Sequence, residues 1–431
     1  MDMNRRRFLI GSGATAAAAL LAACGGGSKG SSSSSSGGGS GSKASGSLEL
    51  FTYDDTSTSP KVQQVLSAFK SSGGPSVTLD TLPGSGAAVY PGKLRTEMLA
   101  GKAPDVFRMW GGSIAKPFVD TRQVIDLAPY YSKYGWDTKL TTANISDLTY
   151  NNVKYGVPLY SAAVGIWYRT DLLAKAGSAV PKSFADVETL NAALKKAGVQ
   201  PWLAGGKYGW YVMRFFEWFL EHTAGPAKHD QLRNLQTSWD TPEVVDAFGI
   251  LKKWADQKWL PDGVMGLDPT QVEAQFAGGR GAMALDGQWI ERTLVDQKVP
   301  TSKYDTIIPP TDQSDLRFSG FTEGYFIARQ SKNPDEAAKL IDFFTQASSQ
   351  KTLGNAYSPV KAVPADPAYP GTAKWKQWQD QHTHYVIQDQ SLSTALANAY
   401  FSIQSDVVQG KQTPAAAATA MQKAAASAAK S

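Results

Sequence analysis

The chain alternates short apolar runs with longer stretches in which apolar positions recur every three or four residues. Leu48-Glu-Leu-Phe-Thr-Tyr53 predicts an opening strand, and Pro60 starts a helix whose Val62, Val65, Leu66 and Phe69 share one face. Val77–Leu82 predicts a second strand, Leu94–Ala100 sits on a second helix, and Asp105–Met109 forms a third strand. Strands separated by helices predict an α/β body around a parallel sheet, because the chain must cross back over one face before it can pair again in the same direction. Val164–Tyr168, entered through Gly156-Val-Pro158, reads as another buried strand, as do Gly281–Asp286 and Tyr325–Ala328. Helix starts are written at Thr241-Pro242-Glu243, at Asn333-Pro-Asp-Glu336 in the form of a capping box, and at Thr413-Pro414. Val212, Phe215, Phe216, Phe219 and Leu220 repeat at helical spacing and predict one buried helix face, with Trp218 in the same packing. Trp254, Trp259, Trp375 and Trp378 lie on or beside helices and read as structural.

The first 47 residues follow none of these patterns. Asn4-Arg5-Arg6-Arg7-Phe8-Leu9 is a basic segment with a twin-arginine look, and the apolar run Ile10–Leu21 behind it is too short to span a bilayer comfortably. Leu21-Ala22-Ala23-Cys24 closes it and resembles the lipobox of bacterial lipoproteins. That resemblance implies removal of residues 1–23 as a signal peptide and a diacylglyceryl group on the Cys24 thiol. Gly or Ser fills 20 of the next 23 positions, so residues 24–47 bury nothing and form a flexible tether with an end-to-end distance of about 25 Å. The expected location is the outer face of the cytoplasmic membrane, reached by twin-arginine or ordinary secretion.

Composition narrows the chemistry. With 431 residues, 42% hydrophobic and 19% charged, the chain is globular and long enough for two domains. Three Arg and one Asp in the first 23 residues supply +2 of the net +5, leaving +3 for the rest, too balanced and too scattered for a nucleic-acid surface. One cysteine excludes an internal disulfide and Cys-based zinc motifs, and four histidines leave little for a metal site. Aromatic surface is abundant: 12 Trp, 17 Tyr and 17 Phe. Ligands of parallel sheets gather at the carboxyl ends of strands, where this chain carries Tyr53-Asp54-Asp55 and Trp110-Gly111-Gly112. Trp202 and Trp210 flank the loop Ala-Gly-Gly-Lys-Tyr-Gly, where no element explains so much ring area.

Several apparent motifs fail on chemistry. Gly86–Lys93 has Leu where a phosphate loop needs a hydroxyl, Gly278-Gly-Arg-Gly281 lacks the third glycine of a dinucleotide fingerprint, and no Gly-x-Ser-x-Gly elbow occurs. His382 and His384 lack companion ligands, and Tyr130-Tyr131 follows a surface turn. Glu217 and Glu221, four apart with Arg214 nearby, have the spacing to be weighed as a glycosidase pair, but they read as a solvated ion-pair face. No metal or cofactor is expected.

Four ordered stretches carry a stronger signal: Tyr90–Phe107 with its Gly-Lys-Ala-Pro-Asp turn, Lys154–Pro158 with Trp167–Leu172, Phe276–Trp289, and Gly320–Phe344. Together they resemble the family 1 extracellular solute-binding proteins of ABC importers, particularly the sugar-binding branch. The resemblance implies an α/β, two-lobed periplasmic-binding-protein-like fold with an inter-lobe ligand cleft. It divides the chain into 48–158 with 310–356 as one lobe and 159–309 with 357–431 as the other, with crossings near Pro158, Ile308–Thr311 and Asn355–Val360. It also implies a monomer that hands its ligand to ABC permease subunits.

A sugar offers C–H faces that pack on aromatic rings and a rim of hydroxyls that needs paired donors and acceptors. The expected ligand-binding set is therefore Tyr53, Asp54, Asp55, Trp110, Tyr160, Trp202, Trp210, Asp286, Trp289 and Glu323, the last placed in a glycine-bounded turn from Gly320 to Gly324. Arg169 stands where the family usually has asparagine, which leaves its role open. The readings that compete with sugar capture are a glycan-active enzyme, a binder of another solute such as a polyamine, and a structural or adhesive lipoprotein.

Overall fold

The computed structural model describes residues 46–54, 58–83, 89–354 and 357–428. The expected signal segment, Cys24 and all but the last two residues of the tether lie outside the described residues, as do Asp55 and the side chain of Asp54.

A nine-stranded mixed sheet organises the body. Its strands are β1 (Leu48–Asp54), β2 (Val77–Pro83), β3 (Val106–Trp110), β6 (Gly156–Arg169), β7 (Trp202–Leu203), β8 (Met283–Gly287), β9 (Tyr304–Ile307), β10 (Phe318–Ile327) and β11 (His384–Val386), while β4 (Thr149–Tyr150) and β5 (Val153–Lys154) form a separate hairpin. β1 pairs in parallel with β2 and β3, as the strand–helix alternation predicts. The helix between β1 and β2, Thr58–Ser71, buries Val62, Val65, Leu66 and Phe69 as expected. The wholly parallel sheet is not what forms. β10 runs antiparallel to both β3 and β6, and β6 antiparallel to β8 and β9, because these partners return from distant parts of the chain instead of by a local crossover.

β6 and β10 run through the whole body. Val157 and Leu159 of β6 enter one core cluster and Ala162–Ile166 another, and on β10 Phe318 and Phe321 belong to the second cluster while Tyr325 and Ile327 belong to the first. Their ladder is irregular between Glu323 and Gly324, where the facing residue steps from Tyr160 to Pro158 and Leu159 is bulged out. β10 begins seven residues before the expected strand at Tyr325, and its glycines are there for close approach. A Cβ on Gly320 would lie 2.8 Å from the Ala162 carbonyl oxygen, and one on Gly324 2.6 Å from that of Val157. Glu323 is thus in mid-strand, not in a turn.

The expected helix starts occur at Pro242, Pro334 and Pro414, although Asn333 makes no side-chain cap and the capping box does not form. No helix among the described residues is long and apolar enough to cross a membrane.

Candidate functional site

The carboxyl ends of β1 and β3 bring two predicted rings together. Tyr53 stacks on Trp110 with centroids 4.1 Å apart and planes 16° from parallel, and Tyr90 closes the edge of the pair at 4.9 Å from Tyr53. Parallel pairing of β1 and β3 sets this stack, since it carries both C-terminal residues to one end of the sheet. The Arg108 guanidinium lies 4.6 Å from the Tyr53 centroid and binds the buried Glu323 carboxylate, with Nε donating to Oε2 at 2.7 Å and Nη2 paired to the same oxygen. Glu323 faces Trp110 on one side and Tyr160 on the other, so one strand register gathers three predicted residues, and Tyr53 joins them through its stack on Trp110. Burial, followed by the neighbouring Glu323 charge, pushes the Tyr53 hydroxyl well above the ordinary tyrosine range, with Arg108 opposing.

A second platform forms where the helix Trp210–Arg233 meets the end of β8. Gly209 precedes it at φ +81°, and a Cβ there would lie 2.6 Å from the Phe401 Cβ and 2.7 Å from the first ring carbon, so only glycine lets Trp210 start the helix at this point. Arg214, one turn on, lies 4.5 Å from the Trp210 ring and 5.2 Å from the Trp289 ring. Its Nη1 donates to Asp286 Oδ1 at 2.6 Å, while the Tyr211 hydroxyl and the Gly287 N–H also donate to that carboxylate. Burial raises the Asp286 pKa and the Arg214 charge pulls it back. Trp289 folds over Gly287, whose absent Cβ would fall 2.0 Å from the ring, and meets Phe321 at 5.9 Å.

The two platforms face one seam. Half-buried Trp110 packs against the core clusters on both sides of it. The Ser113 hydroxyl donates across to the Asp389 carbonyl at 2.9 Å, and Gly112 lies directly against Gln390. Arg292 reaches over to the Thr58 hydroxyl at 2.6 Å and the Gly354 carbonyl at 3.3 Å. Between them Tyr160, Trp289, Arg292, Tyr357 and Tyr369 line a cavity of about 20 Å³, the space of one water. A roomier surface hollow of about 440 Å³, near Tyr130 and Arg329, gathers none of the candidate residues. No cluster of His, Cys, Asp and Glu among the described residues is arranged to hold a metal.

Not every expectation survives. Trp202 is fully buried, its indole N–H donates to Asn191 Oδ1 at 2.8 Å, and Phe215, Trp218 and Trp254 surround its ring, which makes it core. Glu217 and Glu221 are not a solvated face, being 0% and 2% exposed. Glu217 accepts the Gln388 N–H, and burial followed by the Asp389 charge lifts its pKa well above the carboxylate range. Glu221 is buried too, yet hydrogen bonds from His229 and Arg317 hold its pKa low. Arg169 is buried and its guanidinium is taken up by Asp171 and the carbonyls of Phe276 and Ala277. Sequence reasoning missed Arg108, Arg292 and Asp389 and set Arg214 aside. The available signal was an arginine one or two residues from an aromatic strand end, or one turn into a helix that starts with tryptophan.

Residues 55–351 match the family model described as bacterial extracellular solute-binding protein. The maltooligosaccharide ABC transporter solute-binding lipoprotein of Streptococcus pneumoniae serotype 4 is 26% identical over 383 residues, covering 83% of this chain and 81% of that one. An uncharacterised ABC transporter extracellular-binding protein of Pyrococcus horikoshii is 22% identical over 342 residues, with coverages of 77% and 75%. Among solved structures, a chitin oligosaccharide binding protein matches with a TM-score of 0.80 at 23% identity, covering 89% of this chain and 99% of that one. A solute-binding protein in complex with raffinose matches at 0.74 and 18% identity, covering 88% and 98%. The architecture is the two-lobed one of these binding proteins.

Proposed function

The chain belongs to the bacterial extracellular solute-binding proteins, and from that premise we propose that it captures a carbohydrate between its two lobes and delivers it to an ABC permease. One observation carries the sugar reading. Two aromatic platforms, Tyr53–Trp110 and Trp210–Trp289, meet at one seam, and each is flanked by a carboxylate held by arginine. Rings accept the C–H faces of a pyranose, while carboxylate–arginine pairs offer oriented acceptors and donors to its hydroxyls. Relatives named for maltooligosaccharide and chitin oligosaccharide, and one solved with raffinose, support the same class.

The working set is Tyr53, Trp110, Tyr160, Trp210, Asp286, Trp289 and Glu323, joined by Arg108 and Arg214. The carboxylates of the set serve recognition, and no bond-breaking step is required of them. Binding works by closure, in which ligand held on one lobe gains contacts to the other and shifts the open–closed equilibrium by that difference. Lobe motion bends β6 and β10, the two strands that contribute to both of the large core clusters. A diacylglyceryl group on Cys24 and the Gly/Ser tether hold the monomer at the outer face of the membrane.

Thermal unfolding with maltotriose, N,N′-diacetylchitobiose and raffinose tests the reading. A bound sugar at about 100 times its dissociation constant adds roughly 2.7 kcal/mol and raises the midpoint by several degrees. Indifference to all three sugars rules out the carbohydrate assignment, and release of shorter products from them points to the glycan-active enzyme instead.

A further inference from the structure

Beside the aromatic platforms lie a donor and an acceptor that are both shielded and both unpaired. Arg214 is 4% exposed, and its Nη1 is used by Asp286 and the Leu285 carbonyl, yet its Nε–H has no acceptor. Asp389 Oδ1 is shielded from solvent and has no donor. The two belong to one neighbourhood, since the N–H of Gln388, next to Asp389 in the chain, donates to Glu217, one turn from Arg214 on the same helix. Asp389 sits on the short helical turn Gln388–Ser391, at the seam where Ser113 of the opposite lobe binds its carbonyl. An unpaired buried polar atom keeps the full penalty of losing water, so each of these two atoms is open to a partner that a ligand can supply.

We propose that Asp389 and Arg214 form a subsite that reads one ligand hydroxyl, with Arg214 Nε–H donating to its oxygen and Asp389 Oδ1 accepting its proton. The proposal rests on the carbohydrate reading above and narrows it. Among simple polar groups, an alcohol both accepts and donates through one oxygen. An ether or ester at that position cannot donate to Asp389. An ammonium has three donors and no lone pair, so it would leave Arg214 Nε unpaired and face a like charge. The subsite therefore selects a free hydroxyl over its alkylated or acylated form and disfavours polyamines.

Titration calorimetry of the unsubstituted protein, Asp389→Ala and Asp389→Asn with maltotriose, N,N′-diacetylchitobiose and raffinose, and with monodeoxy and mono-O-methyl derivatives of whichever binds, tests it. Circular-dichroism melts confirm that each variant is folded. Asp389→Ala is expected to weaken the parent sugar roughly tenfold to hundredfold, the range for a hydrogen bond to a charged group, and Asp389→Asn, which keeps an acceptor oxygen, to recover part of the loss. One monodeoxy derivative should bind the unsubstituted protein more weakly than its parent, and that penalty should shrink in Asp389→Ala, where only the bond from Arg214 remains to be lost. Equal parent affinity before and after Asp389→Ala, or a deoxy penalty unchanged in that variant, overturns the subsite and leaves the carbohydrate reading standing. Failure of all three sugars to bind the unsubstituted protein overturns both.

Discussion

Gly112→Ala should hold the two lobes apart while leaving each folded. Gly112 sits at φ +62°, and a Cβ there would lie 2.1 Å from the Gln390 carbonyl oxygen and 3.0 Å from its carbon, both backbone atoms on the other side of the seam. An ordinary carbon–oxygen contact of about 3.3 Å requires the seam to part by about 1.2 Å. The Ser113–Asp389 hydrogen bond, 2.9 Å long, would then stretch to about 4 Å and break. The left-handed backbone costs alanine about 1 kcal/mol in open and closed forms alike, so it lowers stability but not affinity. The wedge acts on the closed form alone. Loss of the cross-seam bond and its neighbouring contacts is worth about 2–3 kcal/mol, or thirtyfold to hundredfold in sugar affinity. Gly177→Ala is the matched control, because its φ is +63° and nothing lies within 4 Å of the new methyl. Calorimetry with a bound sugar, and small-angle scattering with and without it, should show weak binding and no contraction for Gly112→Ala and normal behaviour for Gly177→Ala. If both variants bind equally well and contract alike, the seam is not the surface that closes.

Trp210→Ala and Trp289→Ala should each weaken sugar binding about tenfold or more while the melting midpoint moves by only a few degrees, since both rings are half-buried at the seam. Calorimetry beside circular dichroism separates the two effects. Trp202→Ala should instead cost about 3–5 kcal/mol in urea unfolding, because it empties a fully buried site and strands the Asn191 carbonyl. Asp389→Asn should stabilise the ligand-free protein at pH 7 by up to about 3 kcal/mol and have little effect at pH 4, measured as urea midpoints against pH. Burial raises the Asp389 pKa to about 6, so the stability this carboxyl contributes is complete below its unfolded value and is lost as pH rises through the folded one. The groups that face it are Arg214, Glu217 and Arg233 on one helix and Tyr400 on another, while Lys116 and Asp120 across the seam pair with each other.

Local periodicity carried much of the fold. The helix with Val62, Val65, Leu66 and Phe69 and the three parallel strands need only neighbours within a few residues to be recognised. β10 was half hidden because its glycines, required where backbones approach closely, look like turn punctuation. Glu217 and Glu221 look like a wet face until Gln388 and Arg317, distant in sequence, cover them. Tyr53, Trp110 and Glu323 were legible as strand-end chemistry, though not that Arg108 ties them together. Trp202 misled because a glycine-rich loop beside it suggested exposure, whereas its two-residue strand sits against β8 inside the core. Asp389 carries no local pattern, and its surroundings are supplied by Ser113 and Glu217, both distant in sequence.

The place of β10 in the sheet sets an order on biosynthesis. β3 is complete at Trp110, but the residue that pairs with Trp110 is Glu323. At 5–20 residues per second, a ribosome takes about 10–40 s to supply that partner. Until then the nascent chain carries an open apolar edge, and a fragment ending before β10 has no finished lobe at either end. Neither half is a separable module, so a truncation between the lobes yields an aggregation-prone piece.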